Sequence, residues 1–156
     1  MANGRRKPAG PSRQRMVLPE SKAMTTTTNN LKTLDQKRAE HAWDAVRHAL
    51  SKIGPHSEQI PKKFGGNAKK LPVRIMASGL GQALAFLRAK DYAPGLIWEL
   101  SDWIGRQIPS KDGREDLLDR IVHGSSNDLR RATDEVLAYL QWLNRFAEAE
   151  GLADDE

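Results

Sequence analysis

The sequence predicts an all-α fold: a single-domain helical bundle of about five helices around a central buried helix at residues 72–90. Three observations carry this. The stretch Leu71 to Lys90, LPVRIMASGLGQALAFLRAK, is apolar on two faces when projected at 100° per residue. Val73, Met76, Ala77, Leu80, Leu84 and Leu87 form one stripe, and Ile75, Gly79 and Phe86 with Gln82 beside them form the other, so the helix should be enclosed by neighbours. Four further stretches each carry one apolar stripe at helical spacing, and three of these close on a glycine or a proline. A chain of 156 residues is also long enough to bury one real core.

Residues 1–30 offer no periodic apolar face. Pro8, Pro11 and Pro19, scattered arginines and the polar tract Thr25 to Asn30 predict a disordered basic extension. Met24 opens a stretch that reads like a natural start, so residues 1–23 are open to being an over-long start site. If translated, Arg5, Arg6, Lys7, Arg13 and Arg15 add non-specific affinity for polyanions. The bundle is expected over residues 31–150, followed by an acidic C-terminal tail at 151–156.

The first helix should run from about Thr33 to Lys52, because Thr33 and Gln36 have capping-box spacing and Gly54-Pro55 ends it. Its apolar stripe is Ala39, Ala42, Trp43, Val46, Ala49, Leu50 and Ile53. The reverse face, with Lys37, His41, Asp44, His48 and Lys52, reads as solvated. His41, Asp44 and His48 share that face and have the spacing of three metal ligands, but no second helix offers matching ligands, so no metal is expected.

Pro55 to Lys70 reads as a loop in which Lys62, Lys63, Lys69 and Lys70 surround Phe64. Lysines pair with phosphate and an exposed ring stacks on a base, so this is a candidate backbone-tracking surface; an ordinary solvated loop is the competing reading. On the central helix, Gly79 and Gly81 should together cost about 2 kcal/mol relative to alanine, which a close neighbouring backbone would offset. Arg74, Ser78, Gly81, Ala85 and Arg88 form a lane of small residues with an arginine at each end, fit to seat another helix or a phosphate chain.

Asp91 to Gly95 makes a turn. A helix from Pro94 to about Gln107 buries Leu96, Ile97, Leu100, Trp103 and Ile104, with Trp98 on its flank, and closes at Pro109. Asp112 and Glu115 are placed to cap a short helix ending at His123-Gly124, with Leu117, Leu118, Ile121 and Val122 as its core. Ser125 starts the last helix, which runs to about Glu150 and is about 35 Å long. Its stripe is Leu129, Thr133, Val136, Leu137, Leu140, Leu143 and Ala147. Tyr139, Trp142 and Phe146 widen that arc, flanked by Arg131 and Arg145, which fits either a subunit contact or the rim of a core.

Composition narrows the function. Without cysteine there is no disulfide or thiol chemistry. No apolar run nears the ~18 residues that span a bilayer and no signal peptide is apparent, so a cytoplasmic protein with no membrane partner is expected. The net charge of +5 sits wholly in residues 1–30. The body is neutral but polarised: residues 31–90 hold 12 basic and 4 acidic side chains, and residues 91–156 hold 7 and 15. One end should attract polyanions, and opposite poles suit head-to-tail stacking of copies, unless folding interleaves the halves and cancels the field. No phosphate loop, metal cluster or nucleophile with a base emerges, so no enzyme, cofactor or small-molecule substrate is expected.

Two segments, KKLPVRIMASGLGQALAFLRAK at Lys69 to Lys90 and LRRATDEVLAYLQWLNRFAEA at Leu129 to Ala149, resemble the small helical subunit of the type III-B CRISPR effector, the fifth protein family of the Cmr complex. The pattern is met at Gly79 through Phe86 and at Arg131 through Ala147, about a third of the chain, and the Gln36-Lys37-Arg38-Ala39 opening of the first helix also fits. The sequence departs from it at Ser78, where asparagine is common, at Leu129, where tyrosine is expected, and at Asn144, where lysine usually follows Trp-Leu. The last departure weakens an RNA-binding role for that edge.

The resemblance implies a non-catalytic, all-helical subunit in antiviral defence. It stacks on copies of itself and on other Cmr subunits, and helps hold crRNA paired with target RNA. Lys62, Lys63, Lys69, Lys70, Arg74 and Arg88 are then the expected RNA contacts, and Arg131, Tyr139, Trp142 and Arg145 the expected subunit contacts. The alternative is a helix-turn-helix DNA-binding regulator built on the short helix, Gly124 to Ser126 and the last helix. Asp128, Asp134 and Glu135 give that reading helix the wrong sign.

Overall fold

The computed structural model describes residues 31–51, 59–91 and 93–152; the expected disorder of residues 1–30 and the core place of Ile53 lie outside them. The chain divides into two units, 1–32 and 33–156, and the second holds every described helix. Among the described residues there are six helices and no strand: α1 Leu34–Ser51, α2 Gln59–Ser78, α3 Leu80–Lys90, α4 Pro94–Gln107, α5 Leu117–His123 and α6 Ser126–Ala149. α6 packs along α1 and also meets α2 and α4, while α3 meets α2, α4 and α5.

The ends follow local chemistry. At α1 the Gln36 amide donates to Thr33 Oγ1 at 3.1 Å and the Thr33 amide donates to Gln36 Oε1 at 2.8 Å, so two of the amides left open at a helix start are satisfied reciprocally. Pro94 opens α4, and Ser125 caps α6 by accepting from the Asp128 amide at 3.1 Å. The cap of α5 is Asp116, which accepts from the Asp119 amide at 2.9 Å, rather than the expected Asp112 and Glu115. Asp112 instead ties a turn: the Ser110 hydroxyl donates to it and Arg114 bonds it, holding its carboxyl down to about 2. α6 ends with Gly151 at φ 69°, its amide bonding Glu148 and the Leu152 amide bonding Ala147, a Schellman closure. Leu152 is buried, so the helical body reaches two residues into the segment expected to be tail.

Two elements differ from expectation. The segment read as a loop is most of α2, with Lys62, Lys63, Lys69 and Lys70 on a helix. Phe64, Ala68, Leu71 and Ile75, spaced four, three and four apart, are all buried, and this stripe outweighs the helix-weakening Gly65 and Gly66. The single central helix is two, because Gly79 takes φ 84° and ψ 160°, a backbone region open essentially to glycine alone. Leu80, Leu84 and Leu87 go into the core from α3, whereas Val73 and Met76 on α2 stand exposed at 72% and 76%. α2 is therefore amphipathic rather than enclosed.

Elsewhere the apolar stripes are met with local shifts. Ala42, Ala45, Val46 and Ala49 of α1 are buried, while Trp43 and Leu50 lie at its rim. All five expected α4 residues are buried and Trp98 is exposed on the flank. Leu117 is buried but Val122 faces outward, and α6 buries Ala132, Val136, Tyr139, Leu140, Leu143 and Ala147 with Leu129 near the surface.

Candidate functional site

α2 is the most strongly one-signed element of the described structure: Lys62, Lys63, Lys69, Lys70 and Arg74 stand on it without a single carboxylate. At 100° per residue these five fall in one arc, opposite the buried stripe. Lys62, Lys63 and Lys70 are exposed, Lys69 and Arg74 half-buried. Helical rise puts Lys62 and Lys70 about 12 Å apart along the axis, so the row is long enough to meet more than one phosphate of a strand. The stacking aromatic expected here is missing, because Phe64 points into the core. The face is thus a row of ammonium groups, suited to phosphate and without base readout.

The two expected arginines take different places. The Arg74 guanidinium lies 4.2 Å from the centroid of the Phe86 ring, bridging α2 and α3 just beside the Gly79 break. Arg88 donates to Asp116 and so ties α3 to the cap of α5, and the same contact holds the Asp116 carboxyl below its ordinary range. Arg88 is therefore first a structural clasp. The lane between them is also occupied: a Cβ on Gly81 would meet Ile121 of α5 at 3.4 Å, an ordinary van der Waals contact.

Of the expected subunit contacts, Arg131 and Arg145 are exposed and Trp142 is half-buried. Tyr139 is a correction, being fully buried, and cannot touch a partner. Trp142 donates from Nε1 to Asp35 at 2.9 Å, and the Phe146 ring lies 5.6 Å from it and 5.2 Å from Trp43. Arg47 covers Trp43 at 5.9 Å. The edge is an aromatic cluster shared by α1 and α6, in which Trp43 takes the place expected of Tyr139.

Of the α1 face read as solvated, Lys37, Asp44 and His48 are exposed as expected, but His41 enters a polar seam against α4 and α6. The Tyr139 hydroxyl is 2.7 Å from His41 Nδ1, and His41 Nε2 is 2.8 Å from Asp102. If the hydroxyl donates to Nδ1, the Nε2 proton goes to Asp102, and both ring nitrogens and the tyrosine proton are satisfied. Burial alone would raise the Asp102 carboxyl, but the His41 hydrogen bond and the Arg106 charge hold it below its usual value. Burial and neighbouring carboxylates keep the Tyr139 hydroxyl far above its usual range, so it stays protonated.

Beside this chain, Arg38 grips Glu135 through Nε at 2.7 Å and Nη2 at 2.8 Å, and Trp103 Nε1 donates to the same carboxylate at 2.9 Å. His48 Nδ1 meets the buried Glu99 at 3.0 Å. His41 and His48 are thereby engaged with carboxylates of α4, and no group of three or more metal-binding side chains occurs among the described residues. An open groove of about 830 Å³ runs past Trp98, where Arg106 is engaged with Asp102 and Arg114 with Asp112 and Asp119. No helix among the described residues is long and apolar enough to cross a membrane.

Comparison with known proteins gives a consistent result. A family model described as CRISPR-associated protein (Cas_Cmr5) matches residues 34–150. A Thermus thermophilus protein named CRISPR system Cmr subunit Cmr5 is 33% identical over 121 residues, 76% of this chain and 96% of that protein. The crystal structure of a CRISPR-associated Cmr5 family protein from Thermus thermophilus superposes with a TM-score of 0.62 at 29% identity, covering 79% of this chain and 100% of the other. These matches lend no support to the helix-turn-helix reading, and the first turn of α6 carries Asp128 hydrogen-bonded to Ser125 where a reading helix would enter a groove.

Proposed function

The chain belongs to the Cas_Cmr5 family of CRISPR-associated proteins, and on that premise we propose that it serves its Cmr complex as a non-catalytic spacer that lays the basic face of α2 along the backbone of the crRNA and target RNA. The observation that carries this reading is that α2 holds five basic side chains in one arc, Lys62, Lys63 and Lys70 of them exposed, and has no carboxylate of its own. Such a face holds any sequence equally, which is what a complex programmed by its guide requires of a protein wall. The aromatic edge of α1 and α6, with Arg131, Trp142 and Arg145, is the proposed contact with a second copy or another Cmr subunit. It combines a half-buried tryptophan anchor with flanking arginines, the composition favoured where proteins meet.

The test is to replace Lys62, Lys63, Lys69 and Lys70 together by glutamate in the assembled complex. All four lie outside the core, so the fold and the docking of the subunit should persist while target RNA is retained less well. Retention unchanged at moderate salt rejects the assignment of α2.

A further inference from the structure

The end of the described chain packs on α2 at Gly65, a buried position at the edge of the basic face. A Cβ placed on Gly65 would lie 2.3 Å from the carbonyl oxygen of Leu152 and 2.7 Å from its Cβ, so the backbone at Leu152 is pressed directly against that glycine. On a helix the neighbours of Gly65 are the residues three and four away: Pro61 and Ala68 on the buried side, Lys62 and Lys69 on the solvent side. Leu152 itself is held by burial of its side chain and by the hydrogen bond its amide donates to the Ala147 carbonyl oxygen at 2.8 Å. The next residues in sequence are Ala153, Asp154, Asp155 and Glu156. Four residues reach at most about 14 Å, so all three carboxylates are tethered within reach of Lys62 and Lys69.

We propose that the acidic segment Asp154 to Glu156 docks on the lysine face of α2 and competes there with RNA phosphates. The inference rests on the reading of that face as an RNA contact, and it adds a regulator. A tethered trianion shields the lysines from weakly held or isolated RNA, and a long strand fixed by many other subunits displaces it. The charge match favours this place: α2 carries five basic side chains and no carboxylate of its own, and Lys62, Lys63 and Lys70 are exposed. The tether makes the pairing intramolecular, so an effective concentration in the millimolar range replaces the cost of association.

Two measurements on the full chain test this. Zero-length carbodiimide coupling of the free protein should join a carboxylate of residues 154–156 to Lys62 or Lys69, and excess single-stranded RNA should suppress the product. The combined substitution Asp154→Asn, Asp155→Asn and Glu156→Gln leaves Leu152 in place. It should tighten binding of a uridine-rich oligonucleotide about threefold or more at low salt, and the gain should vanish at high salt, where such pairs are screened. In a chain whose four lysines are already glutamates the same substitution should change nothing. Unchanged affinity on neutralising the tail, with affinity still reduced on reversing the lysines, overturns the inference alone. If reversing the lysines leaves affinity unchanged, the reading of α2 fails, and docking of the tail then stands or falls on the coupling product.

Discussion

Arg38 and Glu135, 97 positions apart, form a two-pronged ion pair that is 18% and 12% exposed, and the indole of Trp103 completes the carboxylate's hydrogen bonds. One cluster therefore joins α1, α4 and α6. Removing Glu135 leaves the Arg38 guanidinium, among the described residues, only the exposed Asp35 at 3.5 Å, so Glu135→Ala should cost about 3 kcal/mol. The double change to Arg38→Met and Glu135→Leu should cost clearly less than the two single changes summed, because no lone charge remains. Denaturant unfolding of the four chains checks this. The pair also sets an acid limit. Burial alone would raise the Glu135 carboxyl, but the hydrogen bonds from Arg38 and Trp103 hold it below its ordinary value. Its stabilisation is therefore complete above about pH 4.3, the ordinary glutamate value, and is lost as pH falls through the lower folded value. Glu135→Gln should flatten that part of the stability curve.

Gly65 admits the backbone of Leu152, so Gly65→Ala must displace either α2 or the end of α6. The expected destabilisation is about 1–3 kcal/mol. Leu152→Ala should cost markedly less in a Gly65→Ala background than alone, because the leucine has already been pushed from its seat. Thermal unfolding of the two single variants and the double variant reads this directly.

Gly79 poses a separate problem, since open space surrounds the position of its missing Cβ. The cost of Gly79→Ala therefore comes from backbone strain at φ 84° alone, about 1–3 kcal/mol. If α2 instead straightens through the break into α3, helical circular dichroism will rise in the variant. The Arg74 stacking on Phe86 argues against straightening, because it holds the two helices folded on each other.

Most of the bundle is legible in the sequence because its signals are local. The capping box at Thr33 and Gln36, the proline at 94 and the serine at 125 act within one turn, and each stands where the sequence places it. α2 is hidden because Gly65, Gly66 and a run of lysines imitate a loop, while the stripe that makes it a helix acquires meaning only with a core to face. Gly79 suggests close packing from its setting, but its use is a positive φ. The polar seam is out of reach altogether: His41 meets Asp102 and Tyr139, 61 and 98 positions away, and no spacing within α1 announces them. The seating of Leu152 does carry a local signal, a glycine and then a leucine directly after the last apolar turn of α6.

The aromatic edge makes its own prediction. Arg131→Glu with Arg145→Glu should weaken association with a second copy or with the other Cmr subunits about tenfold or more, with little change in the unfolding midpoint of the isolated chain, because both side chains are exposed. Sedimentation velocity of the isolated protein and of reconstituted mixtures separates the two partners. Trp142→Ala should weaken association too, but it should also lower stability, since its indole bonds Asp35 on α1.

The most direct measurement of the central claim is the salt dependence of target-RNA binding by the reconstituted complex, with wild-type chain and with Lys62, Lys63, Lys69 and Lys70 changed to glutamate. Lysines that neutralise backbone phosphates release counterions, so a plot of log affinity against log salt should become shallower by about 0.7–0.9 for each lysine–phosphate pair removed. The weakening should be the same for unrelated RNA sequences. A slope that does not move, or a weakening that depends on base sequence, contradicts the account.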